Sequence, residues 1–83
     1  MARAEGDLGE ARRLFEEALE IFRSLDERWG TASSLADLGR VLWQQGEHGR
    51  AVDLFRQALR RFAKLGHRRG VARLFEDLAE VLV

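Results

Sequence analysis

The stretch LADLGRVLWQQGEHGRAVDLFRQA, residues 35–58, decides how the chain folds. Leu35, Leu38 and Leu42 recur at three and four residues, and Ala51, Phe55 and Ala58 do the same beyond Gly46. That spacing predicts a helix, a tight turn and a second helix, with one apolar stripe on each. Gly39, Ala51 and Ala58 place small residues among large ones, which allows two antiparallel helices to approach closely while Leu and Phe fill the gaps. Gly46 suits the left-handed residue that ends the first of the two.

Shifting the chain against itself by 40 residues aligns 6–43 with 46–83, and sixteen of the 38 pairs are identical. All but Arg28/Arg68 and Asp37/Asp77 are apolar residues or Gly. The repeated positions are therefore those that set packing and turns, the mark of an architectural repeat. Working outward from 35–58, the same stripe predicts four helices, at about 9–25, 31–45, 50–65 and 71–83. Gly6-Asp7-Leu8-Gly9 reads as a turn after a frayed lead, with Gly9 as N-cap and Glu10 favouring the helix dipole. Residues 26–30 and 66–70 read as linkers, and Trp29 as a packing residue that covers the end of the preceding helix. No strand pattern occurs.

The motif resembles the tetratricopeptide (TPR) repeat, W-x2-L-G-x2-Y followed by A-x3-F and a closing Pro. Leu35 stands at the Trp position, Leu38-Gly39 is the L-G pair, Leu42 replaces the Tyr, and Ala51 to Phe55 is A-x3-F; the Pro is absent. The 40-residue period looks like that of the C-terminal arrays of large bacterial ATPase-type transcriptional regulators. The resemblance implies an all-α, TPR-like solenoid of stacked antiparallel helix pairs in one domain. It would consist of a half repeat at 6–25, a full repeat at 31–65 and a half repeat at 71–83. It also implies a non-catalytic protein-interaction or self-assembly scaffold, a piece of a longer array, with a protein or peptide partner. The partner groove would be lined by Ser33, Ala36, Asp37, Arg40, Trp43 and Gln44 on one helix. On the last helix it would be lined by Arg73, Glu76, Asp77 and Glu80. Asp37 and Asp77 would repel a terminal carboxylate, so a basic or helical segment is the expected occupant.

Composition narrows the remaining classes. With no Cys, neither disulfides nor thiolate metal sites are available, which fits a reducing cytoplasm. No apolar run approaches the roughly 18 residues of a spanning helix, so no membrane role is expected. His48 and His67 fall in predicted turns with no nucleophile motif around them, and no enzyme, cofactor or metal is predicted.

Net charge is zero, but the charges are blocked. Residues 1–39 carry nine acidic and five basic side chains, and residues 40–73 two acidic and nine basic. The Arg-rich third helix makes a nucleic-acid-binding domain the alternative function. Glu10, Glu16 and Glu20 align with Arg50, Arg56 and Arg60, however, so an acidic-to-basic ladder between neighbouring repeats is preferred. Finally, the chain begins and ends on unpaired half repeats. Val81, Leu82, Val83, Leu14 and Phe15 are expected to drive self-association, pairing the last helix of one copy with the first helix of another.

Overall fold

Four amphipathic stripes need cover, and the chain supplies it by folding each helix back on the one before. The computed structural model describes the backbone of residues 5–82 and the side chains of residues 7–79. Helix α1 spans Glu5–Ser24, α2 Arg28–Gln44, α3 His48–Lys64 and α4 Arg68–Leu82. The described residues are all helix and short turn, as the periodicity predicts.

The helices start two to four residues earlier than predicted, because five glycines read as punctuation lie inside them. Gly6 and Gly9 are within α1, so residues 6–9 are helix rather than a turn and Gly9 is no N-cap; Gly30, Gly49 and Gly70 belong to the first turns of α2, α3 and α4. The predicted five-residue linkers shrink to three residues. Residues 1–4 and Val83 lie outside the described part.

What stops each helix is a left-handed residue at a 20-residue interval: Asp26 (φ 56°), Gly46 (φ 90°) and Gly66 (φ 68°). Each is the C′ position of the same double hydrogen bond. The amides of Glu27, Glu47 and His67 donate to the carbonyls of Phe22, Leu42 and Phe62 at 2.8–2.9 Å. Those of Asp26, Gly46 and Gly66 donate to Arg23, Trp43 and Ala63 at 3.0 Å. This pairing satisfies carbonyls that a helix end leaves open. Glu27, Glu47 and His67 then open the next helix, their carbonyls accepting from the amides of Thr31, Ala51 and Val71. Two of them also cap it with a side chain. The Gly30 amide donates to Glu27 Oε1 at 2.6 Å, and the Gly70 amide to His67 Nδ1 at 3.1 Å.

The backbone therefore repeats every 20 residues and the side chains every 40. Helices of the two kinds share a turn but face different neighbours. The most extensive pairing joins α2 to α3, with α1 on α2 and α4 on α3. Leu35, Leu42, Ala51, Phe55 and Ala58 are fully enclosed there, and Phe62 and Leu74 extend the core toward α4. Gly39 allows the approach. A Cβ at that position would stand 3.0 Å from Phe55 Cε1 and 3.3 Å from the Ala51 carbonyl. The L-G pair and the A-x3-F motif thus touch each other directly.

Candidate interaction surface

Short turns place α2 and α4 on the same side of α3, where their facing residues border a cleft of about 220 Å³. Its floor is apolar, made by Ala36, Phe62 and Leu74, and its rim is charged, with Asp37, Arg40, Arg69, Arg73 and Asp77. Arg40 bridges the two helices. Its guanidinium donates to Asp37 Oδ1 one turn back on α2 and, at 2.8 Å, to Asp77 Oδ2 on α4. All three groups keep a fifth to a third of their side-chain surface in contact with solvent. Burial pushes the Asp37 carboxyl above the ordinary 3.8. Arg40 and Arg73 oppose that rise and Asp77 adds to it.

Of the ten residues predicted to line a partner groove, Ser33, Ala36, Asp37, Arg40, Arg73 and Asp77 border this cleft together. Trp43 does not. It packs half-buried against the core and stacks on His48, with ring centroids 4.0 Å apart. Gln44 borders a separate depression with Leu8, Arg12 and Glu47. Glu76 is exposed and away from the cleft, and the side chain of Glu80 lies outside the described residues.

The cleft also includes His67 and Arg69, which helix phase alone does not single out. His67 is more than the surface turn residue that its place in the sequence suggests. It accepts the Gly70 amide through Nδ1, which puts the proton of the neutral ring on Nε2, and it sits against two aromatic rings. The signal for it is its alignment with Glu27, since residues 40 apart occupy the same capping position. Trp29 does not seal a helix end as predicted: it is 45% exposed and stands edge-on to His67, at 4.4 Å between centroids.

The predicted ladder does not form. Glu10 pairs with Arg13, Glu16 with Arg12 and Arg50 with Glu47, each choosing a partner on its own helix or at its start. The α1 and α3 backbones do not approach closely, because α2 lies between them, and no ion pair joins the two helices among the described residues. Arg12 instead ties α1 to the next turn through Glu47 Oε2 at 2.8 Å and Gln45 Oε1 at 3.2 Å. The hydrogen bond from Arg12, joined by one from Arg50, holds the Glu47 carboxyl below its ordinary 4.5. On the exposed face of α3, Arg56, Arg60, Arg61 and Lys64 surround a shallow depression. None of the four has an ion-pair partner among the described residues.

Of the residues predicted to drive self-association, Leu14 is 51% exposed and Phe15 is half-buried against the core. The side chains of Val81 and Leu82, and all of Val83, lie outside the described residues. No helix among the described residues is long and apolar enough to cross a membrane.

No curated protein and no solved structure matches the chain. The family model described as Tetratricopeptide repeat matches residues 1–64. Repeats of that family generally mediate protein–protein interaction or scaffolding, and the family is typically non-catalytic. The match covers α1, α2 and α3 with the turns between them, and on it the chain belongs to the tetratricopeptide-repeat family.

Proposed function

We propose that the chain is a protein-interaction and assembly module of a cytoplasmic protein, and that the cleft between α2 and α4 takes a basic or helical segment of a partner. The observation that carries this reading is Arg40 held between Asp37 and Asp77 above an apolar floor. Asp37 is charged in a place that raises the cost of its charge, and Arg40, already shared with Asp77, offsets that cost only in part. A Lys or Arg side chain from a partner would compete with Arg40 and Arg73 for the Asp37 carboxylate, while its apolar neighbours covered Phe62 and Leu74. Kinship with the 40-residue arrays of ATPase-type regulators belongs to the same reading, supported by the repeat period.

The test is titration of the chain with a Lys-rich amphipathic helical peptide and with its Glu-for-Lys counterpart, followed by amide chemical shifts. The basic peptide should shift residues around Asp37 and Asp77, and Asp37→Asn should weaken it. Equal binding of the acidic peptide, or indifference to Asp37→Asn, would refute the assignment.

A nucleic-acid reading has one observation in its favour, the four cations of α3 without ion-pair partners among the described residues. It requires binding of DNA or RNA that falls steeply with salt and disappears on charge reversal at Arg56, Arg60 and Arg61.

A further inference from the structure

The most extensive interface in the molecule is also the one whose two halves are each presented a second time, only partly covered. On α2, Ala32 and Leu35 are 0% exposed and Leu38 5%, all sealed within the core that α3 completes. Their counterparts 40 residues on, Ala72, Phe75 and Leu78, lie on α4, where Ala72 is exposed, Phe75 is 58% exposed and Leu78 is half-buried. On α3, Ala51, Phe55 and Ala58 are fully enclosed; Ala11, Phe15 and Ala18, their counterparts on α1, are half-buried. Leu14 and Ile21 extend that open face of α1, at 51% and 57% exposed. One end of the molecule thus displays an α2-like face and the other an α3-like face.

We infer that the α4 face of one copy receives the α1 face of a second copy, head to tail. This rests on the assembly part of the proposed function and names its surfaces. The occupant is a second copy because α1 carries the covering residues themselves, Ala11, Phe15 and Ala18, in the order in which α3 carries Ala51, Phe55 and Ala58. Charge agrees with this choice. In the joined pair α1 of the second copy follows α3 of the first along the outer side, bringing exposed Glu16, Glu17 and Glu20 toward exposed Arg56, Arg60 and Arg61. Within one molecule no ion pair joins α1 to α3 among the described residues, so the attraction acts at a distance and orients the encounter.

The joint is looser than its template. Ala79 stands where α2 has Gly39, and a Cβ at 39 would meet the Phe55 ring at 3.0 Å. The Ala79 methyl must therefore press more closely on Phe15 of the second copy than Gly39 does on Phe55.

Two exposed positions test the geometry without disturbing the core: Phe75→Glu spoils the α4 face and Leu14→Glu the α1 face. Circular dichroism checks that both remain helical, and sedimentation across a concentration series reads the mass. The parent chain should grow beyond its 9.5 kDa protomer as concentration rises. Each variant alone should remain a protomer, and the two mixed should stop at a dimer, since each retains the face that the other lacks. A monomeric parent, a single variant that still associates, or a mixture that stays monomeric would each overturn the head-to-tail joint. The second of these outcomes would indicate a two-fold dimer. None of the three bears on the cleft, whose peptide titration stands or falls separately.

Discussion

Gly30 and Phe22 offer the clearest trial of why this chain repeats the residues it does. A Cβ built on Gly30 would lie 2.6 Å from Phe22 Cδ1 and 2.7 Å from both Cγ and Cε1. Cγ is fixed to the side chain's root and all three atoms lie along one ring edge, so the ring cannot swing aside without leaving its place under α2. Overpacking of this kind costs about 1–3 kcal/mol, and three contacts this short argue for the upper half of that range. Against it stands the helix preference of Ala over Gly, about 1 kcal/mol. Gly30→Ala should therefore destabilise the fold by about 1 kcal/mol, a fall in Tm of about 4–8 °C for a domain of this size.

Gly9 and Gly49 have nothing within 4 Å of the same added atom, so Gly9→Ala and Gly49→Ala should each stabilise by up to about 1 kcal/mol. The decisive measurement is urea unfolding of the cycle formed by Gly30→Ala and Phe22→Ala. With the ring gone, Gly30→Ala should become stabilising, giving a coupling of about 2 kcal/mol. If Gly30→Ala has the same effect with and without Phe22, steric conflict is not why a glycine stands there.

Other expectations follow from the turns and the cleft. Asp26 is the one non-glycine residue with positive φ among the described residues, so Asp26→Gly should stabilise by about 0.5–1 kcal/mol in urea unfolding, whereas Gly46→Ala and Gly66→Ala should destabilise by a similar amount. His67→Ala removes the acceptor of the Gly70 amide and should cost about 1 kcal/mol, and Asn at the same position should restore most of it. Carboxyl NMR titration should place Asp37 above 3.8 and Glu47 below 4.5; Arg40→Met should raise Asp37 further, and Arg12→Met should return Glu47 toward its ordinary value. The two groups act on stability with opposite sign. Asp37 holds its proton more tightly when folded, so its contribution is present below 3.8 and is lost as pH rises through the raised value. That of Glu47 is present above 4.5 and lost as pH falls through the lowered one.

Much of this architecture is legible from spacing alone, and the exceptions share a cause. The stripe Leu35, Leu38, Leu42 and its partner Ala51, Phe55, Ala58 point inward as their spacing predicts, because burial of apolar surface outweighs any local preference. Gly46 is legible as a helix end. Gly30 and Gly70 read as linker residues and are not, since a glycine needed for room and a glycine needed for positive φ look alike in a sequence. Only the Phe22 and Phe62 rings tell them apart. Asp26 misleads the other way: a left-handed residue with a Cβ carries no glycine to announce it. Trp29 escapes the sequence for a related reason, as its partner ring on His67 lies 38 positions away and on a different turn. Six of the ten groove positions come together because they follow from helix phase; Trp43 does not join them, because a ring that size goes where the core has space.

The division of labour between the two chemistries explains why the charges fail to form the ladder while the apolar residues keep their register. Exposed ion pairs are each worth about 0–1 kcal/mol, too little to draw α1 toward α3 against the spacing that α2 imposes. Truncating Phe55 to Ala, by contrast, should cost about 3–5 kcal/mol. Packing therefore decides where the helices lie, and charges take the nearest partner left to them: Arg13 with Glu10 and Glu17, Arg50 with Glu47. Arg12 and Arg40 depart from this: Arg12 reaches past its own helix to Glu47 while holding Glu16, and Arg40 to Asp77 on α4 while holding Asp37. A side chain that ties two helices across a cleft, rather than one turn to the next, is a place where an incoming charge can alter what the helices do to each other.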